Sequence, residues 1–169
     1  RKNDKPDESV KDFGDAMSAD SLIAKGHSAG NCLNFPDASA AMAMYDMGAD
    51  WTYVYPTAGR TTWEAMLSIQ HFVGPGQTLK KLRTSASLWT DNAPEFKEAL
   101  DALGAANPNS TLYVSQTNSF IERKIRLIEE GTRTLLDRCG LSHKWWPLAS
   151  QCFCCLLYTS DAAAERSSV

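Results

Sequence analysis

Two short polar segments carry the carboxylates that are best placed to do chemistry in this chain. Asp91 lies in Thr90–Phe96 (T-D-N-A-P-E-F), at the end of an apolar stretch and just before a helix start. Glu122 lies in Gln116–Lys124 (Q-T-N-S-F-I-E-R-K), near the start of a long helical pattern. Carboxylates delivered from a strand end and a helix start can hold divalent cations, which promote phosphoryl transfer. The two segments therefore predict a metal-dependent phosphoryl-transfer site.

A third carboxylate would complete a site for two hard cations. Asp20 is the preferred candidate because it lies in the first predicted strand, while Asp46 at the end of the second strand and Asp15 remain alternatives. Oxygen-only ligands favour Mg²⁺ or Mn²⁺, two ions per site, over zinc. A zinc site built from His143 and the C-terminal cysteines is rejected, because their spacing on a helix does not direct all ligands to one side.

Each of the two motif carboxylates also has a purely structural interpretation. Asp91 before Asn-Ala-Pro can cap a helix, and Glu122 in a first helical turn can complement the helix dipole. The two segments taken together favour the metal site over two unrelated structural roles.

The elements that must position these residues follow from hydrophobic periodicity and turn residues. They alternate as strand, strand, strand, helix, strand, helix, strand, helix, helix. An antiparallel meander followed by alternating helices and strands indicates an α/β fold, with a mixed sheet flanked by helices. The predicted strands are Ala16–Ile23, Ala40–Tyr45, Trp51–Tyr55 (closed by Pro56), Leu82–Trp89 and Thr111–Val114, and the predicted helices are Thr61–Phe72, Pro94–Leu103, Ser119–Cys139 and His143–Tyr158.

The length, net charge and cysteine content of the chain limit what kind of protein it can be. A chain of 169 residues is long enough for one domain with a sizeable core. Its formal net charge of -3 gives no overall basic field, so any contact with nucleic acid needs a local patch. The five cysteines have no disulfide-like spacing, which predicts a reducing intracellular compartment. Neither a membrane span nor a signal peptide is predicted.

Three segments are predicted along the chain. Residues 1–13 form an acidic lead that is poor in apolar residues and is expected to be disordered, and the start at Arg1 suggests a fragment of a longer protein. Residues 14–154 are expected to form the folded domain. Residues 155–169 are expected to be non-native, because Cys155–Ala164 (C-L-L-Y-T-S-D-A-A-A) resembles a translated sequencing-library adapter. The alternative is a natural helix end with an Ala- and Ser-rich tail.

The segments around Asp91 and Glu122 resemble two motifs of retroviral-type integrase catalytic cores. T-D-N-A-P-E-F is similar to the second-aspartate motif T/S-D-N-G/A-x-E-F, and Q-T-N-S-F-I-E-R to P-Q-x-N-G/S-x-x-E-R, which carries the catalytic glutamate. Leu135–Ala149 is similar to the segment that follows this glutamate in Copia-type retrotransposon integrases. The resemblance covers residues 14–154. It implies an RNase H-like, mixed five-stranded sheet flanked by helices, with Asp20, Asp91 and Glu122 as a catalytic and metal-binding triad.

The implied activity is DNA integration by a retrotransposon integrase core, through two-metal processing of DNA 3′ ends and strand transfer. Double-stranded DNA, as element ends and target, is the implied partner, with a homo-oligomer as the active form and the nucleus as its place of action. Basic residues next to the glutamate would meet the phosphate backbone, and amide side chains would add neutral hydrogen bonds. The predicted DNA-binding residues are Asn92, Gln116, Asn118, Arg123, Lys124 and Arg126. Arg133 and Arg138 are interpreted as a salt-bridged solvent face.

Two departures from the family pattern keep a second hypothesis open. Leu112 and Ser115 stand where the family usually has prolines, and their absence should loosen the loop before Glu122. The chain is then a degenerate, non-catalytic copy with residual nucleic-acid binding. An RNase H-type nuclease is a third possibility, which the Gln116–Lys124 motif disfavours because ribonucleases H do not share it.

Overall fold

The computed structural model describes residues 10–24, 37–74, 88–90, 93–105 and 114–167, with the backbone alone described at 114–119 and 160–167. Within these residues the chain is a mixed α/β fold. Its strands are β1 (Met17–Ile23), β2 (Ala40–Asp46), β3 (Trp51–Thr57) and β4 (Leu88–Thr90). Its helices are α1 (Thr62–Val73), α2 (Pro94–Leu103), α3 (Val114–Cys139) and α4 (Trp146–Ser167), the last preceded by a 3-10 turn at His143–Trp145.

The four strands form one mixed sheet in the order β3-β2-β1-β4. The first three strands make the predicted antiparallel meander, and β4 lies parallel to β1. Four strands are therefore confirmed. The predicted fifth strand is not: Val114 lies in α3, and Thr111–Tyr113 lie outside the described residues.

Each face of the sheet packs against a different pair of helices, because successive side chains of a strand point to opposite faces. Met17 and Ala19 of β1 belong to a buried cluster with the apolar faces of α1 and α2. Leu22 packs against the other cluster, which joins β2 and β3 to α3 and α4. Ala41 and Ala43 of β2 are fully buried in that second cluster and present only methyl groups to it. Asp20, one residue after Ala19, therefore lies on the α3 face of the sheet.

Local capping residues fix the bounds of the two shorter helices. The Thr61 side chain accepts a hydrogen bond from the Glu64 backbone, and the Glu64 side chain accepts one in return, which is the predicted capping box. Pro94 occupies the first turn of α2, and Gly104 ends that helix in the left-handed conformation at φ 65°. The predicted bounds of α2 are confirmed, and those of α1 differ by one residue at each end.

The start of α3 and the ends of β3 and α4 differ from their predicted positions. The long helix α3 begins at Val114 instead of Ser119. Strand β3 continues through Pro56 to Thr57, which an edge strand tolerates because one side of it has no ladder partner. Helix α4 runs on to Ser167, beyond Tyr158.

None of the described helices combines the length and apolar character that a membrane crossing requires. The segment before β1 also contacts this fold, since the Phe13 ring lies 5.6 Å from the Phe72 ring of α1.

Candidate metal and nucleic-acid site

Asp20 lies in the middle of β1, where it faces Ala43 of β2 in the antiparallel register. Its side chain is half-buried, and Oδ1 accepts a 2.7 Å hydrogen bond from the Ser21 backbone N–H. The alternation along β1 places it on the face that α3 covers. Asp20 is therefore a carboxylate held by a central strand between the sheet and the long helix.

The parallel pairing of β1 and β4 brings the chain before Asp91 to the same place. Met17 lies opposite Leu88 and Ala19 lies opposite Thr90, which is the last described residue of β4. Asp91 and Asn92 themselves lie outside the described residues. The described chain resumes at Ala93, the N-cap of α2, so the T-D-N-A-P-E-F motif joins a strand end to a helix start as predicted.

Glu122 is exposed on α3. Glu129 follows it by seven residues, about 20° away around the helix axis, and lines a cavity together with Leu22–Ala24. Lys124 lies on the opposite flank, where its Nζ is 4.8 Å from the centre of the Tyr45 ring of β2. The sheet order and these contacts together direct the Glu122 flank towards β1 and β4. Asp20 and Glu122 thus belong to the same sheet-helix layer.

Asp46, the main competitor for the first carboxylate, has a structural role. It is fully buried, and its Oδ2 accepts a 2.7 Å hydrogen bond from the Gly14 N–H, while Oδ1 accepts one of 2.8 Å from the Ala49 N–H. Burial raises the pKa of Asp46, and these backbone hydrogen bonds oppose that rise. Gly48 approaches the Asp12 backbone so closely that a side chain there would overlap it. Asp46 therefore ties the segment before β1 to the β2–β3 turn.

The side chain of Asp15, the other alternative, also accepts hydrogen bonds from nearby backbone N–H groups. Its Oδ2 accepts hydrogen bonds of 3.0 Å and 2.9 Å from the N–H groups of Lys11 and Asp12. Both alternatives therefore organise the turn that precedes β1, whereas Asp20 lies within the strand.

The three basic residues beside Glu122 have different surroundings. The Lys124 Nζ lies 2.7 Å from Asp50 Oδ1, and the Arg123 guanidinium lies 4.8 Å from the centre of the Phe120 ring. Arg126 is exposed on the same helix. The side chains of Asn92, Gln116 and Asn118 lie outside the described residues. A phosphate that contacts Lys124 would therefore have to compete with Asp50.

Sequence reasoning missed the partners of Lys124, because Asp50 lies 74 positions away along the chain. Burial and the neighbouring Asp50 carboxylate raise the pKa of Tyr45, whose ring packs under Lys124. No local pattern indicates such a contact. The predicted ion pair on the solvent face is confirmed for Arg133, whose guanidinium lies 3.5 Å from Glu129.

The described residues alone do not assemble a metal site. Among them there is no group of three or more His, Cys, Asp or Glu side chains that could hold an ion, and this set does not include Asp91. A cavity of about 770 Å³ lies along β3 beside α1, where the Tyr55 hydroxyl is 3.1 Å from His71 Nδ1. Its described lining includes neither Asp20 nor Glu122.

Comparison with solved structures finds similar folds, whereas the two sequence comparisons find no match. No protein-family model matches the chain, and no curated protein matches its sequence. The fold is similar to the crystal structure of the catalytic core domain of BIV integrase, with 13% sequence identity, 81% of each chain covered and a TM-score of 0.49. A likeness of this size leaves the chemistry of the chain to be judged from its own residues.

Proposed function

We propose that this chain is the catalytic core of a Copia-like retrotransposon integrase with an RNase H-like fold. It processes the 3′ ends of element DNA and transfers them into target DNA. The observation that carries the proposal is the parallel pairing of β1 with β4, which brings the strand that leads into the Asp91 motif beside the strand that carries Asp20.

The register of that pairing supports a shared site for Asp20 and Asp91. It pairs Ala19, the residue before Asp20, with Thr90, the residue before Asp91. Paired residues of parallel strands point to the same face, and neighbouring strands lie about 4.8 Å apart. We infer that Asp20 and Asp91 together hold a cation on the face that α3 covers.

The donor chemistry of Asp20, Asp91 and Glu122 fits Mg²⁺ or Mn²⁺, since all three offer hard carboxylate oxygens. Two such ions, when bound, supply the positive charge that activates an attacking oxygen and stabilises the leaving oxygen of a phosphodiester. The chain itself contributes placement. A central strand carries Asp20 and a helix carries Glu122, so regular elements hold the backbone of both proposed ligands.

DNA binding in this proposal depends on a local patch, because the net charge of the chain is -3. Arg123 and Arg126 follow Glu122 on α3, where the scissile phosphodiester would lie, and Asn92, Gln116 and Asn118 would add neutral hydrogen bonds to phosphate. Element ends and target DNA are the proposed partners, a homo-oligomer is the proposed active form, and the nucleus is the proposed place of action.

A strand-transfer assay with labelled element ends and Mg²⁺ tests the mechanism. We expect Asp91→Asn to lower product formation by about a hundredfold or more, since a lost ligand removes several kcal/mol of transition-state stabilisation. Asp101→Asn, an exposed aspartate on α2, is the matched control and should keep the native rate. Equal activity of native protein and Asp91→Asn would remove Asp91 from the mechanism.

The same assay identifies the first carboxylate. Asp20→Asn should abolish activity and weaken Mn²⁺ binding measured by calorimetry, because it removes a ligand. Asp15→Asn should keep Mn²⁺ binding, because that carboxylate caps backbone N–H groups before β1. Normal Mn²⁺ binding by a folded Asp20→Asn protein would exclude Asp20 as a ligand.

A degenerate copy is the second candidate, and one observation favours it. The backbone is helical from Val114 onwards, so Gln116 and Asn118 lie in a helix instead of the loop that the family motif implies. A degenerate copy would bind DNA equally well with and without Asp91→Asn, and would yield no metal-dependent product.

A further inference from the structure

The cavity of about 770 Å³ along β3 and α1 is within the usual size range of small-molecule sites. Three ring side chains line it, namely Tyr53 and Tyr55 of β3 and His71 of α1. The two tyrosines are half-buried and His71 is exposed, so each of the three retains surface that a solute can reach. The cavity therefore has an accessible aromatic wall.

The three rings are set at steep angles to one another. Tyr53 and Tyr55 are two residues apart on one strand, so their side chains leave the same face of the sheet. Their ring centres are 5.1 Å apart with an interplanar angle of 60°, and those of Tyr55 and His71 are 5.3 Å apart at 71°. A hydrogen bond of 3.1 Å between the Tyr55 hydroxyl and His71 Nδ1 holds these two rings together. Because a cation is attracted within about 6 Å of a ring centre, one cation can interact with both tyrosines.

The charge on the cavity wall also favours a cation. Besides the tyrosines, the ionisable side chains of its described lining are Glu64 and His71, and this lining contains no lysine or arginine. The remaining polar side chains of the described lining are uncharged, and they include the amides of Gln70 and Gln151. Glu64 is thus the one carboxylate among the described groups that face the rings across this cavity.

The hydrogen bonds of Glu64 indicate which kind of cation fits. Its Oε1 accepts from the Ala58 and Gly59 N–H groups at 2.9 Å and 3.2 Å. Its Oε2 accepts from the Thr61 N–H at 3.2 Å and from Thr61 Oγ1 at 2.8 Å. A carboxylate has about four lone-pair sites, so these donors fill them, but they are neutral and leave the negative charge in place.

A cation without N–H groups matches this arrangement. A primary ammonium needs acceptors to replace its water, and Glu64 has none left to offer. A trimethylammonium group needs only negative charge, aromatic faces and apolar contacts. Leu67 and Pro56 add apolar surface to the same cavity.

We propose that this cavity binds a trimethylammonium group through the rings of Tyr53 and Tyr55 and the charge of Glu64. Such a ligand contacts β3 and α1 together. The proposal goes beyond DNA integration, because none of these residues belongs to the proposed metal or DNA contacts.

Choline and neohexyl alcohol are a matched pair of probes, because they have the same shape and differ by a charged nitrogen in place of a carbon. Binding to the full chain is measured by NMR titration of each probe. Choline should bind roughly threefold to thirtyfold more tightly, the range expected for a cation over aromatic rings. Its methyl proton signal should also move upfield, because the methyl groups lie over ring faces. Equal affinities, or no binding of choline, would overturn the proposal.

Phosphatidylcholine vesicles carry the same group at a membrane surface and distinguish the two sources of it. Binding of choline without co-sedimentation of the chain on these vesicles would support a soluble ligand. Binding of choline together with co-sedimentation would support a lipid headgroup at the same site.

Two variants of Tyr55 separate the ring from the hydroxyl. Tyr55→Phe keeps the ring and should leave the preference for choline over neohexyl alcohol unchanged within about twofold. Tyr55→Leu removes the ring and should lower this preference by about threefold or more. An unchanged preference in a folded Tyr55→Leu protein would overturn the proposal.

A change at Glu64 provides a second test that does not disturb the aromatic wall. Glu64→Gln removes the charge and retains the capping box, since glutamine also serves at that position. It should weaken choline binding by about twofold or more and leave neohexyl alcohol unaffected. Glu130→Gln removes the same charge from the exposed surface of α3 and is the matched control. Equal choline affinities of the two variants would overturn the role of Glu64 and the proposal with it.

Discussion

Asp20 and Asp46 show how environment decides the role of a carboxylate. Asp46 is fully buried and accepts hydrogen bonds from two backbone N–H groups that lie on different segments of the chain. Asp20 is half-buried on a central strand, on the face that meets α3. The first arrangement stabilises a turn, and the second can present oxygens to a ligand.

Replacing Asp46 with asparagine should destabilise the fold. The amide has one acceptor oxygen, so its NH₂ group would face either the Gly14 or the Ala49 N–H. We expect a loss of about 1–3 kcal/mol in the free energy of unfolding, measured by urea denaturation at neutral pH. Asp101→Asn on exposed α2 is the control and should lie within about 0.5 kcal/mol of the native chain. An unchanged Asp46→Asn protein would contradict the structural role.

The stability that Asp46 contributes should also depend on pH. Burial raises the pKa of this carboxyl in the folded state, so the folded chain holds the proton more tightly than the unfolded chain. Its contribution is therefore fully present below the unfolded pKa and falls as the pH rises through the folded pKa. Urea denaturation measures the free energy of unfolding of the native and Asp46→Asn proteins. The difference between the two values should become smaller as the pH rises from acid to neutral. If this difference in unfolding free energy became larger as the pH rose, the result would contradict a raised pKa of Asp46.

The cysteines should differ sharply in reactivity. Burial raises the pKa of the Cys154 thiol to about 12, so at neutral pH it carries almost no reactive thiolate. Cys139, Cys152 and Cys155 are exposed. Iodoacetamide labelling of the native chain, followed by peptide mass spectrometry, should modify the exposed three at least about tenfold faster than Cys154. Comparable rates in folded protein would show that Cys154 is not buried.

The contact between α3 and α4 depends on a residue without a side chain. A Cβ at Gly131 would overlap the Phe153 ring, so the helices approach closely only because Gly131 has none. Phe153 packs in the cluster that also holds Ile121 and Ile128 of α3. The close approach thus holds the helix that carries Glu122 against the sheet.

Gly131→Ala should therefore destabilise the chain, although alanine favours a helix. Overpacking costs about 1–3 kcal/mol, and the gain in helix propensity is about 1 kcal/mol, so a net loss of about 1 kcal/mol is expected. Thermal and urea unfolding measure it. Combining the change with Phe153→Leu should restore part of the loss, because the smaller side chain leaves room. If Gly131→Ala alone were as stable as the native chain, α3 and α4 would be able to move apart without a loss of unfolding free energy.

Elements with local signals could be predicted, and elements defined by distant contacts could not. Thr61 and Glu64 start α1 through contacts three residues apart, and Pro94 and Gly104 bound α2 in the same local way. The start of α3 was wrong because the family motif implies a loop, while the residues present continue a helix. The pairing of Lys124 with Asp50 depends on the tertiary fold and has no counterpart in local sequence.

At the scale of the whole molecule, the sheet order determines which motif residues can meet. With β1 between β2 and β4, the carboxylate of a central strand lies next to the strand that leads into the second motif. The candidate carboxylates were predicted from sequence, but the hydrogen bonds of Asp46 and Asp15 to backbone N–H groups depend on the tertiary fold. The metal triad as a whole stays a prediction, since Asp91 lies outside the described residues.

DNA binding by a chain with a net charge of -3 must be local, and the arginines of α3 allow this to be measured. Arg126→Gln should weaken binding to duplexes of any sequence and reduce the steepness of log K against log salt by about 0.9, the value for one lost phosphate contact. Arg138→Gln removes the same charge from the exposed far end of α3 and is the matched control. Fluorescence anisotropy at several salt concentrations provides both slopes. Equal slopes for the two variants would mean that only overall charge matters, and the patch beside Glu122 would then have no special role in DNA binding.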